Sequence, residues 1–260
     1  MGLPMLKNTL SFLLLLLFST HAVAAEPLKV GISPWYFPVA FENKDGKHNG
    51  VDVDVVEAIA HRLGTTVLYH NIPREKIGEA VANGTVDIGI GAIEEKSYLR
   101  GYDNAKIDSS KIKMVPYYSV PMAFVVRDPK LKVIGDLKNK TVGTLAFFAS
   151  RTDLAAMNKK GAIGKILGLE HPTVLLGNLE KKHVETIMVT LPTALDLAGK
   201  SKDSLYVVKF ADSKTALREP LALIKSSATD AKTKKISDAV ESFVKSREID
   251  AIAKKWLEVP

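Results

Sequence analysis

The sequence predicts an α/β protein of two similar lobes, the first interrupted by the second. Three observations carry this. Residues 28–91 alternate strand-like and helix-like runs, which is the signature of a parallel sheet with crossover helices. The alternation restarts at Ile134. Two apolar stretches, one leading through Val115–Val126 and one at Glu219–Ile224, are placed to carry the chain from one lobe to the other and back. The expected division is residues 26–120 plus 219–260 for lobe 1 and 121–218 for lobe 2.

The chain has 260 residues, of which the first 25 read as a leader rather than as part of the fold. Lys7 gives a positive start, Leu10–Phe18 is an apolar core of signal-peptide length, and Ala22-Val23-Ala24 is an A-x-A cleavage pattern, with cutting after Ala25 equally acceptable. The apolar run is short for a membrane span and no comparable run follows. An exported, soluble protein is expected, without stable membrane insertion. There is no cysteine, which excludes disulfides and a lipid anchor at the cleavage site. The formal charge is +7, and removal of Lys7 with the leader leaves +6. The lysines are scattered among acids along amphipathic helices, so the charge reads as solvated surface and not as a nucleic-acid footprint.

Leu28–Ile32 is a short branched apolar run, a strand. Pro34 and Pro38 bracket Trp35-Tyr36-Phe37, so a loop is expected there, aromatic and at the carboxyl end of a strand, where open α/β sheets bind ligands. Asn43–Gly46 and Gly50 are turn residues. Val53, Val56, Ile59, Ala60 and Leu63 recur at helical spacing, and Gly64 ends the helix. Thr66–Tyr69 is a strand, Asn71–Arg74 a loop, Glu75–Asn83 a short helix and Val86–Gly91 a third strand. Gly89-x-Gly91 lacks the third glycine and the immediate helix of a dinucleotide fingerprint. Glu94–Lys113 is charged and predicts a surface segment, partly helical. Met122–Val126 is a strand. In the second half, Lys140–Leu145, Thr173–Leu176, Thr186–Thr190 and Tyr206–Phe210 predict strands; Ser150 or Thr152 caps a helix running through Met157, and Pro192–Ala198 starts another. Lys232–Val244 and Ile249–Trp256 predict closing amphipathic helices.

The order of these pieces resembles the family 3 periplasmic solute-binding proteins, the receptors of polar amino-acid-type ABC importers. Gly50-Val51-Asp52-Val53-Asp54 is similar to that family's G-F-D-V-D at its first helix. Pro116-Tyr117-Tyr118 is similar to the family's segment before the interlobe strand. Lys140-Thr141-Val142-Gly143 resembles its opening of lobe 2, and Ala253-Lys254-Lys255-Trp256-Leu257 its closing A-x-I-x-x-K-W-F. The resemblance spans nearly all of residues 26–260. It implies the two-lobed type II periplasmic-binding-protein fold, with discontinuous lobes joined by two hinge crossings. It also implies a monomer that closes on a small solute and delivers it to an inner-membrane ABC permease, with no cofactor and no metal.

Carried over position by position, the resemblance places an aromatic wall on Tyr36, with Trp35 beside it. The second aromatic falls on Arg74, which can stack on the first, bind an anion, or face solvent. The hydroxyl cluster at a strand end falls on Gly91, Ala92 and Glu94. The carboxylate-binding arginine falls on Tyr98 or Leu99, and Arg100 serves only if the loop carries an insertion, since one residue on a helix turns a side chain by about 100°. The anion-binding helix start of lobe 2 reads Ala146-Phe147-Phe148-Ala149-Ser150, where the two phenylalanines plug the cleft, wall it, or pack in the core. The ammonium-pairing aspartate falls on Thr190, which cannot pair a charge. The amino-acid signature is thus incomplete, and a small polar or anionic organic solute is expected. Two other functions remain in view: an accessory or sensory protein without a transport ligand, and a cyclohexadienyl-dehydratase-like enzyme with Glu94 as its acid. No Ser-His-Asp order, H-E-x-x-H or cysteine nucleophile is present, and the five histidines after residue 25 show no metal spacing.

Overall fold

The computed structural model describes residues 25–93, 109–146, 150–208, 221–226 and 230–257. The described residues form two five-stranded sheets and a small three-stranded one. In the first half, β1 (Leu28–Ile32), β5 (Val67–Asn71) and β6 (Ile88–Ile90) pair in parallel, with β1 in the middle. Between them lie β2 (Trp35–Tyr36), β3 (Ala40–Glu42), β4 (His48–Asn49), α1 (Val51–Leu63), and α2 (Ile77–Ala82). The sheet is completed by β13 (Leu221–Lys225), antiparallel to both β6 and β7 (Ile112–Pro116).

The second sheet has the same plan. Strands β9 (Thr141–Leu145), β10 (Lys165–Leu169) and β11 (Thr186–Thr190) are parallel, while β8 (Met122–Val126) pairs antiparallel with both β11 and β12 (Tyr206–Val208). Helices α3 (Ser150–Lys159), α4 (Pro172–Glu180) and α5 (Leu191–Lys200) connect them. The chain therefore leaves the first lobe between β7 and β8 and returns between β12 and β13. It ends with α6 (Ala231–Lys245) and α7 (Glu248–Leu257), which pack on α1.

Each helix is held by an apolar stripe. Val55, Val56, Ile59 and Ala60 of α1 are buried, as are Ile236, Val240 and Phe243 of α6. The start of α1 depends on Gly50, whose φ of 120° is closed to ordinary side chains; a Cβ there would lie 2.4 Å from the Val39 carbonyl oxygen. That closeness lets the Val51 and Asp52 amides donate to the Pro38 and Val39 carbonyls at 3.1 and 2.9 Å, satisfying two orphan donors of the helix. At the other end Gly64 is left-handed, with φ 69°.

Two sequence expectations are corrected. Thr173–Leu176 lies in helix α4, not in a strand. Pro172 occupies the first turn, where it costs no hydrogen bond, and His171 caps it by accepting from the Thr173 amide. The residues around Trp35–Phe37 are not simply a loop: β2, β3 and β4 pair antiparallel. Prolines 34 and 38 flank these pairings rather than sitting in them, so the missing N–H groups interrupt no ladder bond.

Candidate functional site

In the first lobe the carboxyl ends of β1, β5 and β6 bring three segments together. Ser33, Trp35 and Tyr36 follow β1; Arg74 opens a 3₁₀ turn after β5; Gly91 and Ala92 follow β6. Gly91 has φ 120°, and a Cβ on it would lie 3.1 Å from the Ser33 amide nitrogen, so the two strand ends touch backbone to backbone. Ala92 is left-handed, with φ 56°, an uncommon state for a residue other than glycine. Arg74 is 5% exposed, and its guanidinium donates to the Ala92 carbonyl at 3.4 Å.

This turn is held by a residue that the sequence reading quoted only as part of a motif. Asp52, in the first turn of α1, is fully buried. Its Oδ2 accepts from the Gly91 and Ala92 amides at 2.9 and 3.1 Å, and its Oδ1 accepts from the Tyr118 hydroxyl at 2.9 Å. Burial pushes the Asp52 carboxyl above its ordinary value, and the donors pull part of the way back. The phenols of Tyr117 and Tyr118 are pushed well above theirs, first by burial and then by the Asp52 charge, so both stay neutral donors. The Tyr117 hydroxyl lies near Asp52 but outside good hydrogen-bond geometry. Tyr118 belongs to the first crossing, so one carboxylate joins the helix start, the turn beside Arg74 and the hinge.

The lobes meet at Tyr36. Its hydroxyl lies 2.8 Å from the Thr190 hydroxyl at the end of β11 and 3.0 Å from the Thr193 hydroxyl. Thr190 and Thr193 are 2.8 Å apart, and Thr193 also donates to the Phe37 carbonyl at 2.9 Å. Tyr36, Thr190 and Thr193 are all buried. Trp35 sits 5.6 Å from the Tyr36 ring and 6.3 Å from the ring of His171 in the second lobe.

Of the residues singled out from sequence, Trp35, Tyr36, Arg74 and Ala92 gather at the first lobe's strand ends, and Thr190 faces Tyr36 from the second. The solvent-facing alternative for Arg74 is corrected, because its side chain is buried. Ser150 opens α3. Glu94, Arg100, Phe147 and Phe148 lie outside the described residues. Asp52 and Thr193 were missed. Asp52 left a signal: it is an acid inside the run Val51–Val56, where an amphipathic helix should bury apolar groups. Thr193 left none beyond its spacing from Thr190. Among the described residues no group of three or more acids or histidines could hold a metal. A separate cavity of about 730 Å³ lies where the first crossing meets α5 and α7, lined by Tyr118, Ser119, Pro121, Leu191, Lys254 and Leu257 among others; none of the singled-out site residues lines it.

Known proteins match this arrangement over almost its whole length. The cystine-binding protein TcyJ of Escherichia coli (strain K12) is 22% identical over 232 residues, covering 88% of this chain and 82% of that protein. Among solved structures, the GluR0 ligand-binding core in complex with L-glutamate superposes with a TM-score of 0.68 at 24% identity, covering 90% of this chain and 99% of the other. The ancestral amino acid-binding protein AncCDT-1, a precursor of cyclohexadienyl dehydratase, gives 0.66 at 19%, covering 89% and 96%. These likenesses establish the type II periplasmic-binding-protein fold. Residues 28–259 match the family of bacterial extracellular solute-binding proteins, family 3, and this two-lobed chain belongs to it.

Proposed function

We propose that the protein is the periplasmic receptor of an ABC importer and that it binds a small carboxylate-bearing solute between its lobes, with Arg74 as the principal anchor. The observation that carries the ligand class is the setting of Arg74. Its guanidinium is buried at the carboxyl ends of parallel strands, beside the Gly91–Ala92 turn. A planar guanidinium there suits a carboxylate. Cystine and glutamate, named for the two relatives above, both carry carboxylates. Opposite, Thr190 offers a neutral hydroxyl where pairing an ammonium would need a carboxylate. The solute class favoured is therefore organic acids, aromatic acids included, over ordinary α-amino acids. Remaining contacts are assigned to Trp35, Tyr36, Ala92, Glu94, Arg100, Phe147, Phe148 and Ser150. The lobes divide at residues 26–120 with 219–260, and 121–218. The protein acts as a monomer, and an inner-membrane permease is its partner.

The experiment is mass-spectrometric identification of the solute that co-purifies with the exported protein, followed by calorimetry on Arg74→Ala. Loss of a charge-assisted contact costs about 1.5–3 kcal/mol, so affinity should fall about tenfold to a hundredfold. Tight binding of lysine, arginine or glutamine, unchanged in Arg74→Ala, would contradict the anchor. A receptor also returns its solute unaltered. Turnover of prephenate or arogenate, abolished by Glu94→Gln, would replace the receptor with an enzyme. Export is checked by N-terminal sequencing of the mature protein, expected to begin at Ala25 or Glu26.

A further inference from the structure

The contact between Tyr36 and the two threonines has a feature that solute binding alone does not require: the two lobes are bonded to each other directly. Four contacts share three hydroxyl protons. Three hydroxyls carry three protons, and the Phe37 carbonyl can only accept. In one arrangement that gives every proton an acceptor, Thr193 donates to Phe37, Thr190 to Thr193 and Tyr36 to Thr190. The relay leaves lobe 1 at Tyr36, passes through both threonines of lobe 2, and returns to lobe 1 one residue further on. Two of its three bonds cross between the lobes, no charge is involved, and every hydroxyl is satisfied. The Thr190 side chain is diverted to make this network. It stands at the N-cap of α5, where a threonine normally accepts from a helix amide, yet it makes no capping bond.

We infer that Tyr36, Thr190 and Thr193 form a latch that closes the lobes independently of solute, and that Thr193 is a positioning residue setting how tightly any solute is held. The inference rests on family membership but not on the identity of the solute. A ligand binds a two-state receptor with an apparent affinity scaled by the fraction already closed. A latch that raises this fraction strengthens every solute by one common factor, whereas a contact such as Arg74 changes the ranking of solutes. The network has one further consequence: opening must expose three hydroxyls to water together, so the latch releases as a unit.

The test reads closure without solute. The chain has no cysteine, so Lys44→Cys in lobe 1 and Lys202→Cys in lobe 2, both exposed, accept a fluorophore pair without background labelling. The full mature protein is unfolded in denaturant, dialysed, refolded and shown by mass spectrometry to be free of solute. Transfer efficiency should then be high in the parent and lower in Thr193→Val, which keeps the shape and removes the hydroxyl. The closed-to-open ratio should fall about fivefold to tenfold. Thr193→Ser should restore the parent value, which a mere packing role would not do. Tyr36→Phe removes the lobe 1 hydroxyl and should behave as Thr193→Val does; it serves as the second variant if the valine protein does not fold. Equal efficiencies in the parent and the hydroxyl-deleted protein, whether high or low, overturn the latch. Because no solute is added, this failure is separate from failure of the Arg74 anchor.

Discussion

Asp52 is the residue in which the site and the fold meet. It brings a carboxylate to a position with no exposure, which is tolerated because three donors converge on it. Asp52→Leu keeps the branching at Cγ but leaves the Gly91 and Ala92 amides and the Tyr118 hydroxyl without their acceptor. Each buried orphan costs about 1–3 kcal/mol, so urea denaturation should show a loss of at least about 3 kcal/mol. Asp52→Asn separates charge from shape. The parent carboxyl is raised in the folded state above its ordinary 3.8. Between the ordinary value and the raised one, the folded protein therefore holds a proton that the unfolded chain has released. The stability this adds is full below 3.8 and is lost as pH rises through the raised value. Relative to Asp52→Asn, the parent should thus gain stability on acidification from neutral pH towards 3.8, and parallel denaturation curves across that range would refute the assignment. The family resemblance singled out Trp35, Tyr36, Arg74 and Thr190, and the structure places the first three after strands of one lobe and Thr190 at a strand end of the other, against Tyr36. Sequence reading missed Asp52 because a buried charge mimics a surface one in a periodic pattern; only its donors, 39 to 66 residues away, reveal it.

At the scale of elements, helix starts decide most of the local outcomes. The α1 start is built on Gly50 and not on a side-chain cap. Gly50→Ala would drive a Cβ towards two carbonyl oxygens at 2.4 and 2.7 Å while forcing φ 120° on an L-residue. The β2–β3 turn and α1 would have to part, and thermal unfolding should move down by several degrees, about 2–4 °C for each kcal/mol lost. A Tm within a degree of the parent would show that the 38–39 carbonyls do not hold this helix. The α4 start explains the strand that proved to be a helix. Thr173-Val174-Leu175-Leu176 is β-branched and apolar enough to suggest a strand, and a four-residue window cannot tell period 2 from period 3.6. The deciding signals lay just outside it, in the cap at His171 and the proline after it. The small sheet β2–β4 was illegible for the opposite reason: its strands are two or three residues long, too short for any alternation to register.

For the molecule as a whole, the repeated strand-helix alternation and the two crossings were readable from sequence, since each lobe states its own hydrophobic pattern. What no pattern states is how the lobes touch, because hydroxyl contacts such as Tyr36 with Thr190 join residues 154 apart and leave no local period. The order of the first sheet, β5-β1-β6-β13-β7, carries one more implication, and it concerns time. Strand β13 lies inside that sheet, between two strands made more than a hundred residues earlier. Among the described residues β7 pairs with nothing else. A ribosome must therefore finish residue 225, and with it the entire second lobe, before the first lobe can fill the gap in its own sheet. Until then β6 and β7 have no common neighbour, and the first lobe's sheet stays incomplete over most of the chain's synthesis. In the export route proposed above, that delay keeps the chain threadable for as long as a translocation channel needs it.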